Sequence, residues 1–464
     1  MPSAVLASGF VAGPFTAEIR KLSVLALPLV LGQLAHSGVG FTDTVMVGRL
    51  GGLELAGVAL GAAVYFFLFI FCSGVLYSVA PSVSQAYGAE RPDSLLLAAR
   101  QGVWLALFMS VPLAVLLNFT EPLLLATGQD PAVAAIAASY LATLSWGLVP
   151  MVLTVALRGF LEGTGDTRPL MFILFLGLGV KILLNSVLLT GWGPFPELGV
   201  QGAALSSALV YLSEFTAAAL YITLRYRDLR LLQGLGRPHS AMLRELITVG
   251  VPIGVTLGFE SGLFTVAAFA MGVFGGDELA AHQIAMASST MAFNIPLAIG
   301  LATGVRVGQN VGRDDREAAA RSAFTGVGLA FLIMCVTATV FWLFPEPIVG
   351  LYLDLGDPAN FEVIGFATAF IGFAAMFQLA DGVQVAGSGA LRGYKDTTVP
   401  MYVSLFSYWI VGLGGGMLLA FPLGMGPSGL WLGLVAGLTV AAILLSLRLR
   451  WRTRQPLSRR IVEA

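Results

Sequence analysis

The sequence predicts an all-α polytopic membrane protein with twelve transmembrane helices, arranged as two parallel six-helix repeats around a central cavity. The first observation is composition. Of the 464 residues, 57% are hydrophobic and only 11% are charged, whereas a soluble domain has roughly 25% charged residues. The second is a set of twelve apolar segments, each long enough to cross about 30 Å of hydrocarbon. The third is an internal repeat. The net charge of −1 gives no argument for nucleic acid as a partner.

The apolar segments are predicted to be helices. They begin near residues 22, 55, 97, 132, 169, 198, 245, 279, 320, 363, 399 and 428, and polar turn signals such as YGAERPD, TGQDP and GRDDRE separate them. No segment alternates like a barrel strand, and a backbone inside hydrocarbon must satisfy its hydrogen bonds internally. The two cysteines, Cys72 and Cys335, lie in apolar runs, so we expect packed free thiols rather than a disulfide.

Basic residues predict the orientation. If successive segments cross the membrane in alternating directions, all 25 Lys and Arg residues except Arg49 and Lys181 fall on the same side of the membrane. By the positive-inside rule that side is cytoplasmic, and both termini lie there. The N-terminus has no basic residue before Arg20, so we expect no cleaved signal peptide.

The two halves of the chain repeat one another at an offset of 224 residues. LPLVLGQLAHSG, which contains His36, aligns with VPIGVTLGFESG, which contains Glu260. At the same offset SQAYG aligns with GQNVG, which pairs Gln85 with Gln309. Several matches in the same order indicate a duplication rather than chance.

Each half holds six segments, an even number, so the repeats share one orientation and are related by an axis along the membrane normal. We predict an N-terminal lobe at residues 1–225, a cytoplasmic linker at 226–243, a C-terminal lobe at 244–450 and a basic cytoplasmic tail at 451–464. Rocking one lobe against the other would open the central cavity to each side of the membrane in turn.

Three acids stand inside apolar segments, where an ionised carboxylate is costly unless it is paired, hydrated or protonated. Asp43 lies about 33 Å of helix beyond Lys21, while Glu260 and Asp381 lie about 24 Å and 16 Å from the nearest arginines of their segments. Such a group can hold a proton or a cation, but not comfortably both. We therefore predict proton or cation coupling at these acids. The alternative for Asp43 is a helix cap or an ion pair with Arg49.

Five motifs in a fixed order carry a family resemblance. They are GFTDTVMVGRLG, PIGVTLGFESG, ELAAHQIAM, GVRVGQNVG and FQLADGVQVAGSGALRGYKD. Together they resemble the multidrug and toxic compound extrusion (MATE) transporters, most closely the NorM-like bacterial branch, over about residues 18 to 450. The resemblance implies a monomeric antiporter of the bacterial inner membrane, not an enzyme and without a cofactor. Such antiporters expel amphipathic, often cationic, drugs and dyes against inward flow of protons or sodium.

The resemblance also assigns roles to residues. The functionally required acid of the family's G-F-x-D-T-x-M motif falls on Asp43, and positions that contribute to a family cation site fall on Glu260 and Asp381. Sodium-linked members often carry Tyr four residues before the last of these acids, and here that position is Phe377, which offers no oxygen. Protons are therefore the expected coupling ion, and sodium at Glu260 and Asp381 stays the alternative.

Lys181 departs from the family pattern, in which an uncharged Asn usually stands at its position. A lysine about 20 Å along its helix from Arg168 needs a partner or must lose its proton. Glu214 sits at a similar depth on the next segment, so we predict a Lys181–Glu214 pair; the alternative is that Lys181 tunes Asp43. His36 is expected to be a buried neutral imidazole or, alternatively, a group that titrates. Further polar candidates for the cavity are Gln33, Asn185, Gln283 and Asn294.

Aromatic side chains can bind a lipophilic cation through their π faces, at about 0.5–2 kcal/mol for each contact. The candidates are Phe41, Phe66, Trp146, Phe259, Phe264, Phe293 and Trp409. Two rival functions stay open. A flippase for lipid-linked sugars should have a strongly cationic cavity, and the sequence offers only Lys181 as an intramembrane base. A membrane-embedded enzyme should show a catalytic constellation, and we find no metal-ligand cluster, phosphate-binding loop or nucleophile–base pair.

Overall fold

The computed structural model describes residues 13–48, 50–189, 191, 197–229, 231 and 235–457. Several sequence-based expectations lie outside these residues. They are the absence of a signal peptide at the N-terminus, the alternative partner Arg49, and the second half of the basic tail, residues 458–464.

Twelve long apolar helices account for the predicted spans among the described residues. They are α1 (Pro14–Val47), α2 (Gly52–Gly88), α3 (Pro92–Phe119), α4 (Pro131–Thr164), α5 (Arg168–Leu188), α6 (Gly199–Arg225), α7 (Ser240–Gly272), α8 (Gly276–Gly312), α9 (Arg316–Leu343), α10 (Pro358–Gly393), α11 (Thr398–Ala420) and α12 (Gly426–Arg454). The prediction of twelve transmembrane helices is confirmed. The largest difference is at α1, which begins at residue 14 rather than near 22, because Pro14 occupies the first helical turn, where its missing N–H costs nothing.

Local sequence sets where several helices begin and end. Asp130 caps α4 by accepting a hydrogen bond from the Ala132 backbone N–H (2.8 Å), and Asp315 caps α9 in the same way through Ala318 (2.9 Å). Helix α4 ends at Gly165, whose φ of 86° lies in the left-handed region that favours glycine. The turn signals read from the sequence therefore act through specific capping groups.

Several spans depart from regular α-helix where the backbone must adapt. Prolines lie inside α1, α3, α4, α7 and α8, and each removes one helical hydrogen bond. Helix α2 is interrupted at Tyr77 and Ser78. Residues Phe406–Gly414 of α11 form π-helical turns, a distortion that often accompanies functional sites because it redirects side chains.

Each half packs mainly within itself. In the first half, α1 packs against α5, and α4 packs against α2, α3 and α6. In the second half, α10 is the central helix and contacts α8, α9 and α12. One group of buried apolar side chains, with Phe160 and Leu148, fills the first half and continues across the contact between the halves to residues such as Leu246 and Ile299. A second group, with Phe370 and Trp431, lies within the second half. We refer to the two halves as the first and second lobe.

The lobes meet along α1–α8 and α2–α7, which are equivalent contacts in the duplicated chain, and through the end of α2 against α8. The hydrogen bonds between lobes described below involve the beginnings of α1, α7 and α9 and the ends of α2, α4, α8 and α10. We call this end of the helix bundle the linker side, because the segment joining the lobes lies there.

The linker is held against the start of α3. Gln101 accepts a hydrogen bond from the His239 backbone N–H (2.9 Å) and donates one to the Arg237 carbonyl oxygen (3.2 Å). The Arg100 side chain donates to the Leu231 carbonyl oxygen (3.3 Å). The connection between the lobes is thus tied to the first lobe at both of these points.

Candidate functional site

The carboxylate of Asp43 lies in the half of α1 away from the linker side and binds side chains of α5 and α6. Lys181 Nζ is 2.6 Å from Asp43 Oδ1, and the Asn185 side-chain amide donates to the same oxygen (2.9 Å). Ser207 Oγ donates to Oδ2 (3.3 Å). The Asp43 side chain keeps only 15% of its exposure and that of Lys181 keeps none. The site is therefore a buried ion pair within the first lobe.

Lys181 has other oxygen acceptors besides the carboxylate. Its ammonium donates to Ser206 Oγ (2.9 Å), Ser207 Oγ (2.5 Å) and the Ala203 carbonyl oxygen (3.3 Å). Ser206 in turn donates to the Asn185 side-chain oxygen. Lys181 and Asn185 are four residues apart and share one face of α5. The small residues of GAALSSA let α6 approach that face closely.

The predicted Lys181–Glu214 pair is wrong, and the alternative, an interaction of Lys181 with Asp43, is what the structure has. Glu214 packs against Gly177, one turn before Lys181: a Cβ added at Gly177 would lie 2.2 Å from Glu214 Oε1. Lys181 instead meets α6 near Ser207, about two turns from Glu214. The sequence-based pairing compared only how far Lys181 and Glu214 lie from the ends of their helices. That comparison was too coarse, because an error of one helical turn changes which residues are in contact. Glu214 Oε1 has no hydrogen-bond partner among the described residues.

A second polar group lies in the first lobe, towards the linker side. Arg158 of α4 donates to the Gln33 side-chain oxygen (3.2 Å) and to Glu162 (3.4 Å). The candidate Gln33 is therefore bound to a base that lies within α4. His36 lies one turn further along α1, with its ring 6.1 Å from that of Phe69.

The second lobe brings the two remaining acids together. Glu260 on α7 and Asp381 on α10 lie close enough for their charges to interact, and both interact with Tyr408 of α11. The positive charge of Arg392, near the linker-side end of α10, interacts with the charge of the Glu260 carboxylate. Asp381 and Tyr408 are almost completely buried, with 2% and 1% of their surface exposed.

Polar side chains surround this acid pair. Gln384, three residues beyond Asp381, donates to the Tyr408 hydroxyl (2.6 Å). Among the described residues, several buried polar atoms of α10 and α11 have no hydrogen-bond partner: both side-chain polar atoms of Gln378, Oε1 of Gln384, and the hydroxyl of Ser407. Buried polar atoms are normally satisfied, so this group of donors and acceptors is suited to binding a polar or charged ligand.

The remaining candidates are scattered. Gln283 is exposed on α8, and Asn294 donates to the Thr290 carbonyl oxygen of its own helix (3.1 Å), which is a structural role. Among the aromatics, Trp146 is 82% exposed. Phe41 and Phe66 are also exposed, Phe293 is half-buried, and Phe259, Phe264 and Trp409 pack beside the apolar core of the second lobe. These last three lie in the lobe that contains the acid pair.

Tyr408 is a residue that sequence reasoning missed. The sequence argument considered only Phe377 as the source of an oxygen, and Phe377 packs edge-on against Phe264 with ring centres 5.9 Å apart. The hydroxyl comes from α11 instead. Its position depends on the π-helical turns of that helix, for which the sequence has no recognisable signal.

An ion pair between the lobes was also missed. Arg306 of α8 donates through Nε and Nη2 to the two carboxylate oxygens of Glu18 of α1, both at 2.9 Å. Ser322 donates to the same carboxylate (2.7 Å). The repeat equivalent of Arg306 at the offset of 224 is Ser82, and Ser82 donates to Glu245 of the other lobe (3.2 Å). The repeat alignment could have indicated these positions.

The repeat-related glutamines close the linker side in a nearly symmetric way. Gln85 donates to the Gly393 carbonyl oxygen (2.9 Å), and Gln309 donates to the Gly163 carbonyl oxygen (3.2 Å), so each glutamine bonds to the opposite lobe. A second pair of repeat-equivalent residues, Gly88 and Gly312, allows the backbones of α2 and α8 to come into contact. A Cβ added at Gly88 would lie 1.9 Å from the Gln309 carbonyl oxygen, and one at Gly312 would lie 2.1 Å from that of Gln85.

Comparison with known proteins agrees with this architecture. The MatE family model matches residues 28–187 and 252–418, once in each half. The chain belongs to the MatE family. Its repeated match corresponds to the duplication read from the sequence, and the matched ranges begin at the repeat-related residues Pro28 and Pro252.

Relatives and solved structures give the same result. The chain is 40% identical to a probable multidrug resistance protein NorM of Pseudomonas aeruginosa, over 95% of this chain and 91% of that protein. It is 41% identical to a protein of the same name from Deinococcus radiodurans, over 95% and 96%. The fold matches the crystal structure of the eukaryotic MATE transporter AtDTX14 with a TM-score of 0.84 at 22% identity, over 96% and 100%. This MatE protein is therefore a multi-pass membrane transporter and not an enzyme.

Proposed function

We propose that this MatE protein is a secondary active antiporter of a bacterial inner membrane. It exports amphipathic, often cationic, drugs and dyes in exchange for protons. The names of its relatives, multidrug resistance proteins, support drug export. The observation that carries the antiport mechanism is the buried Asp43–Lys181 ion pair, because protonation of that carboxylate changes which helices are held together. The protein works as a monomer, since each lobe supplies one side of the cavity.

Proton uptake acts on the contact between α1 and the α5–α6 pair. When Asp43 is ionised, its charge is balanced by Lys181 at 2.6 Å. When Asp43 is protonated, the ammonium keeps three oxygen acceptors on α6, at Ala203, Ser206 and Ser207. Helix α1 then loses its ionic attachment to α5 and α6. Protonation of Asp43 thereby allows α1 to bend.

The same pair favours protons over sodium in the first lobe. A metal ion bound to Asp43 would lie within a few ångströms of the Lys181 ammonium, and like charges at that distance repel strongly in a low-dielectric site. The second lobe is less selective. Tyr408 brings a hydroxyl near Asp381, so a set of oxygens is available there. Sodium at Glu260 and Asp381 therefore remains the alternative coupling ion.

The second lobe is the proposed site for the cationic group of the substrate. Glu260 and Asp381 supply negative charge, and the aromatic rings of Phe259, Phe264 and Trp409 lie in the same lobe. Together they would bind a lipophilic cation by charge and by π faces, without a precise hydrogen-bond pattern. Such a combination accepts many different cations, as a multidrug transporter must.

The arrangement of the lobes fits one end state of alternating access. The Glu18–Arg306 ion pair and the glutamine contacts of Gln85 and Gln309 join the lobes at the linker side. By the positive-inside rule this is the cytoplasmic side, with both termini and the linker. The protein as described is then closed to the cytoplasm, and these contacts must break for a drug to enter from inside the cell.

A flippase for lipid-linked sugars is the weaker candidate. It would need unpaired positive charge in its cavity to hold a pyrophosphate. Here Lys181, Arg158 and Arg306 are each paired with a carboxylate, and the charge of Arg392 interacts with that of Glu260. The paired bases favour export of cations over transfer of anionic lipids.

The proposal is tested by dye efflux in inverted membrane vesicles, with a proton gradient and a sodium gradient imposed separately. A proton gradient should drive ethidium movement, and a sodium gradient at constant pH should not. Transport driven by sodium at constant pH and lost in Asp381→Asn would assign coupling to sodium in the second lobe. Vesicles that move no dye under either gradient would refute antiport.

A further inference from the structure

A large pocket lies at the linker side of the second lobe, away from the acid pair. Its volume is about 1050 Å³. Its walls are the start of α7, the turn between α10 and α11, and the end of α12 with the residues that follow it. We call it the α7–α12 pocket.

The pocket has an excess of positive charge. Four bases line it, and two of them already have carboxylate partners: Lys395 Nζ is 2.5 Å from Glu245, and Arg448 Nε is 2.8 Å from Asp396. Burial lowers the pKa of Lys395, an effect that the neighbouring Glu245 opposes. These two acids are therefore engaged in ion pairs and do not cancel the rest of the positive charge.

The other two bases, Arg244 and Arg452, have no carboxylate partner among the described residues. Arg452 is positioned by the ring of Tyr394, 5.2 Å from its guanidinium carbon, and donates to the Pro456 carbonyl oxygen (3.3 Å). Arg244 is exposed at the first turn of α7. Each guanidinium has further N–H donors available, in the planar arrangement that suits phosphate oxygens.

The pocket is amphipathic as well as basic. Trp451 is half-exposed on its wall, with Arg448 stacked over its ring at 4.2 Å. Val249 and Leu457 add apolar surface. The position, at the end of membrane-spanning helices, is the depth at which phospholipid headgroups lie and at which tryptophan is enriched. Free inorganic phosphate would leave most of this volume and its apolar wall uncontacted.

We propose that the α7–α12 pocket binds the headgroup of an anionic phospholipid, with Arg244 and Arg452 as ligands of its phosphate and Trp451 beside its glycerol and upper acyl chain. Basic pockets between transmembrane helices recognise anionic lipids through this chemistry. The site also touches the contact between the lobes: Gln85 lines it, and Glu245 accepts from Ser82 of the first lobe. A bound lipid therefore favours the arrangement in which the linker side is closed.

The test uses the purified full-length protein in nanodiscs of phosphatidylcholine, with or without 20% phosphatidylglycerol, on the order of a physiological charge density. Phosphatidylglycerol should raise the melting temperature of the wild type, and native mass spectrometry should show retained phosphatidylglycerol. The double substitution Arg244→Gln/Arg452→Gln should remove the shift and weaken retention about tenfold, because two charged hydrogen-bond donors are lost.

The matched control is Arg450→Gln/Arg454→Gln, which removes two exposed charges from the same end of α12 outside the pocket. It should behave as the wild type. The single change Arg244→Gln, at an exposed position, keeps the test valid if the double variant is unstable. Equal retention in both double variants would overturn the site. Inorganic phosphate or glycerol phosphate producing the same shift in phosphatidylcholine alone would overturn the assignment to a lipid.

Discussion

At the scale of single residues, Lys181 changes the chemistry of the first lobe. Its ammonium is fully buried, 2.6 Å from Asp43, and has three oxygen acceptors on α6. A buried charge pair costs desolvation that its attraction only partly offsets, whereas removing one partner leaves a lone charge and is strongly destabilising. A functional role for the pair, as proposed above, would explain why it is retained despite this cost.

The first prediction is a double-mutant cycle on this pair. Asp43→Asn should keep the protein folded but lower its stability by about 3 kcal/mol, because Lys181 is left without a counter-charge. Asp43→Asn/Lys181→Met should recover most of that loss, since both charges are gone. Neither variant should perform proton-driven efflux. The measurements are thermal unfolding in detergent and ethidium efflux in vesicles.

Glu214→Gln is the control for this cycle, because Glu214 is a buried acid of the same lobe that does not contact Lys181. Its effect on stability should add to that of Lys181→Met without coupling. Additive losses for Asp43 and Lys181, or wild-type efflux in Asp43→Asn, would show that the pair is not the proton-coupling element.

At the scale of helices, the repeat explains how the lobes close. Gly88 and Gly312 are equivalent residues of SQAYG and GQNVG, and each lets the end of its helix touch a glutamine carbonyl oxygen of the other lobe. The contact is nearly two-fold symmetric because the two motifs lie on facing helices, α2 and α8. Symmetry of this kind lets one small motif, used twice, form the closed linker side.

The second prediction concerns these glycines. Gly88→Val should prevent closure of the linker side, because any Cβ at residue 88 would lie 1.9 Å from the Gln309 carbonyl oxygen. Closure is measured with a single reporter cysteine. Cys72 and Cys335 are replaced by Ser, and Ser82→Cys places the reporter at the contact between the lobes. Its labelling by a maleimide from the linker side should be slow, and Gly88→Val should accelerate it at least tenfold.

Gly328→Ala is the matched control, since a Cβ at Gly328 meets nothing within 4 Å. It should leave the labelling rate of Ser82→Cys unchanged. Equal labelling with and without Gly88→Val would mean that this contact does not close the protein.

The helices and their order follow from the sequence, but the site follows only in part. Hydropathy and turn signals locate every span, because hydropathy is averaged over about 19 residues and the turns between spans have recognisable short sequences. The partner of Lys181 was wrong because it depends on helix rotation and on one turn of axial shift. Tyr408 was missed because π-helical turns in α11 direct its side chain. Such features are set by packing between helices rather than by local sequence.

At the scale of the whole molecule, the proposed mechanism depends on the orientation of the two lobes in the membrane and on the coupling of drug export to an ion gradient. The duplication, the positive-inside asymmetry and the contacts at the linker side support the proposal of an antiporter that is closed to the cytoplasm. The coupling mechanism requires that proton binding and drug binding exclude each other, so that each inward proton is exchanged for an outward cation.

The third prediction is topological. A cysteine introduced at Arg237, in the linker, should react with an impermeant maleimide in inverted vesicles and not in intact cells. Successive spans cross the membrane in alternating directions on both sides of the linker, so this result determines the orientation of both lobes. Labelling of the linker in intact cells would reverse the orientation and the assignment of the closed side.

The most direct test of exclusion between proton and drug is the pH dependence of drug binding to the purified protein. The dissociation constant of tetraphenylphosphonium should rise as pH falls between about 8 and 5, by up to tenfold for each pH unit where one proton is exchanged. Glu260→Gln/Asp381→Asn should weaken binding at every pH, because the negative charge of the site is lost, and should make the remaining binding independent of pH. Glu362→Gln, at an exposed acid of α10, should preserve both the affinity and its pH dependence. A dissociation constant that does not change with pH in the wild type would contradict proton–drug antiport at these carboxylates.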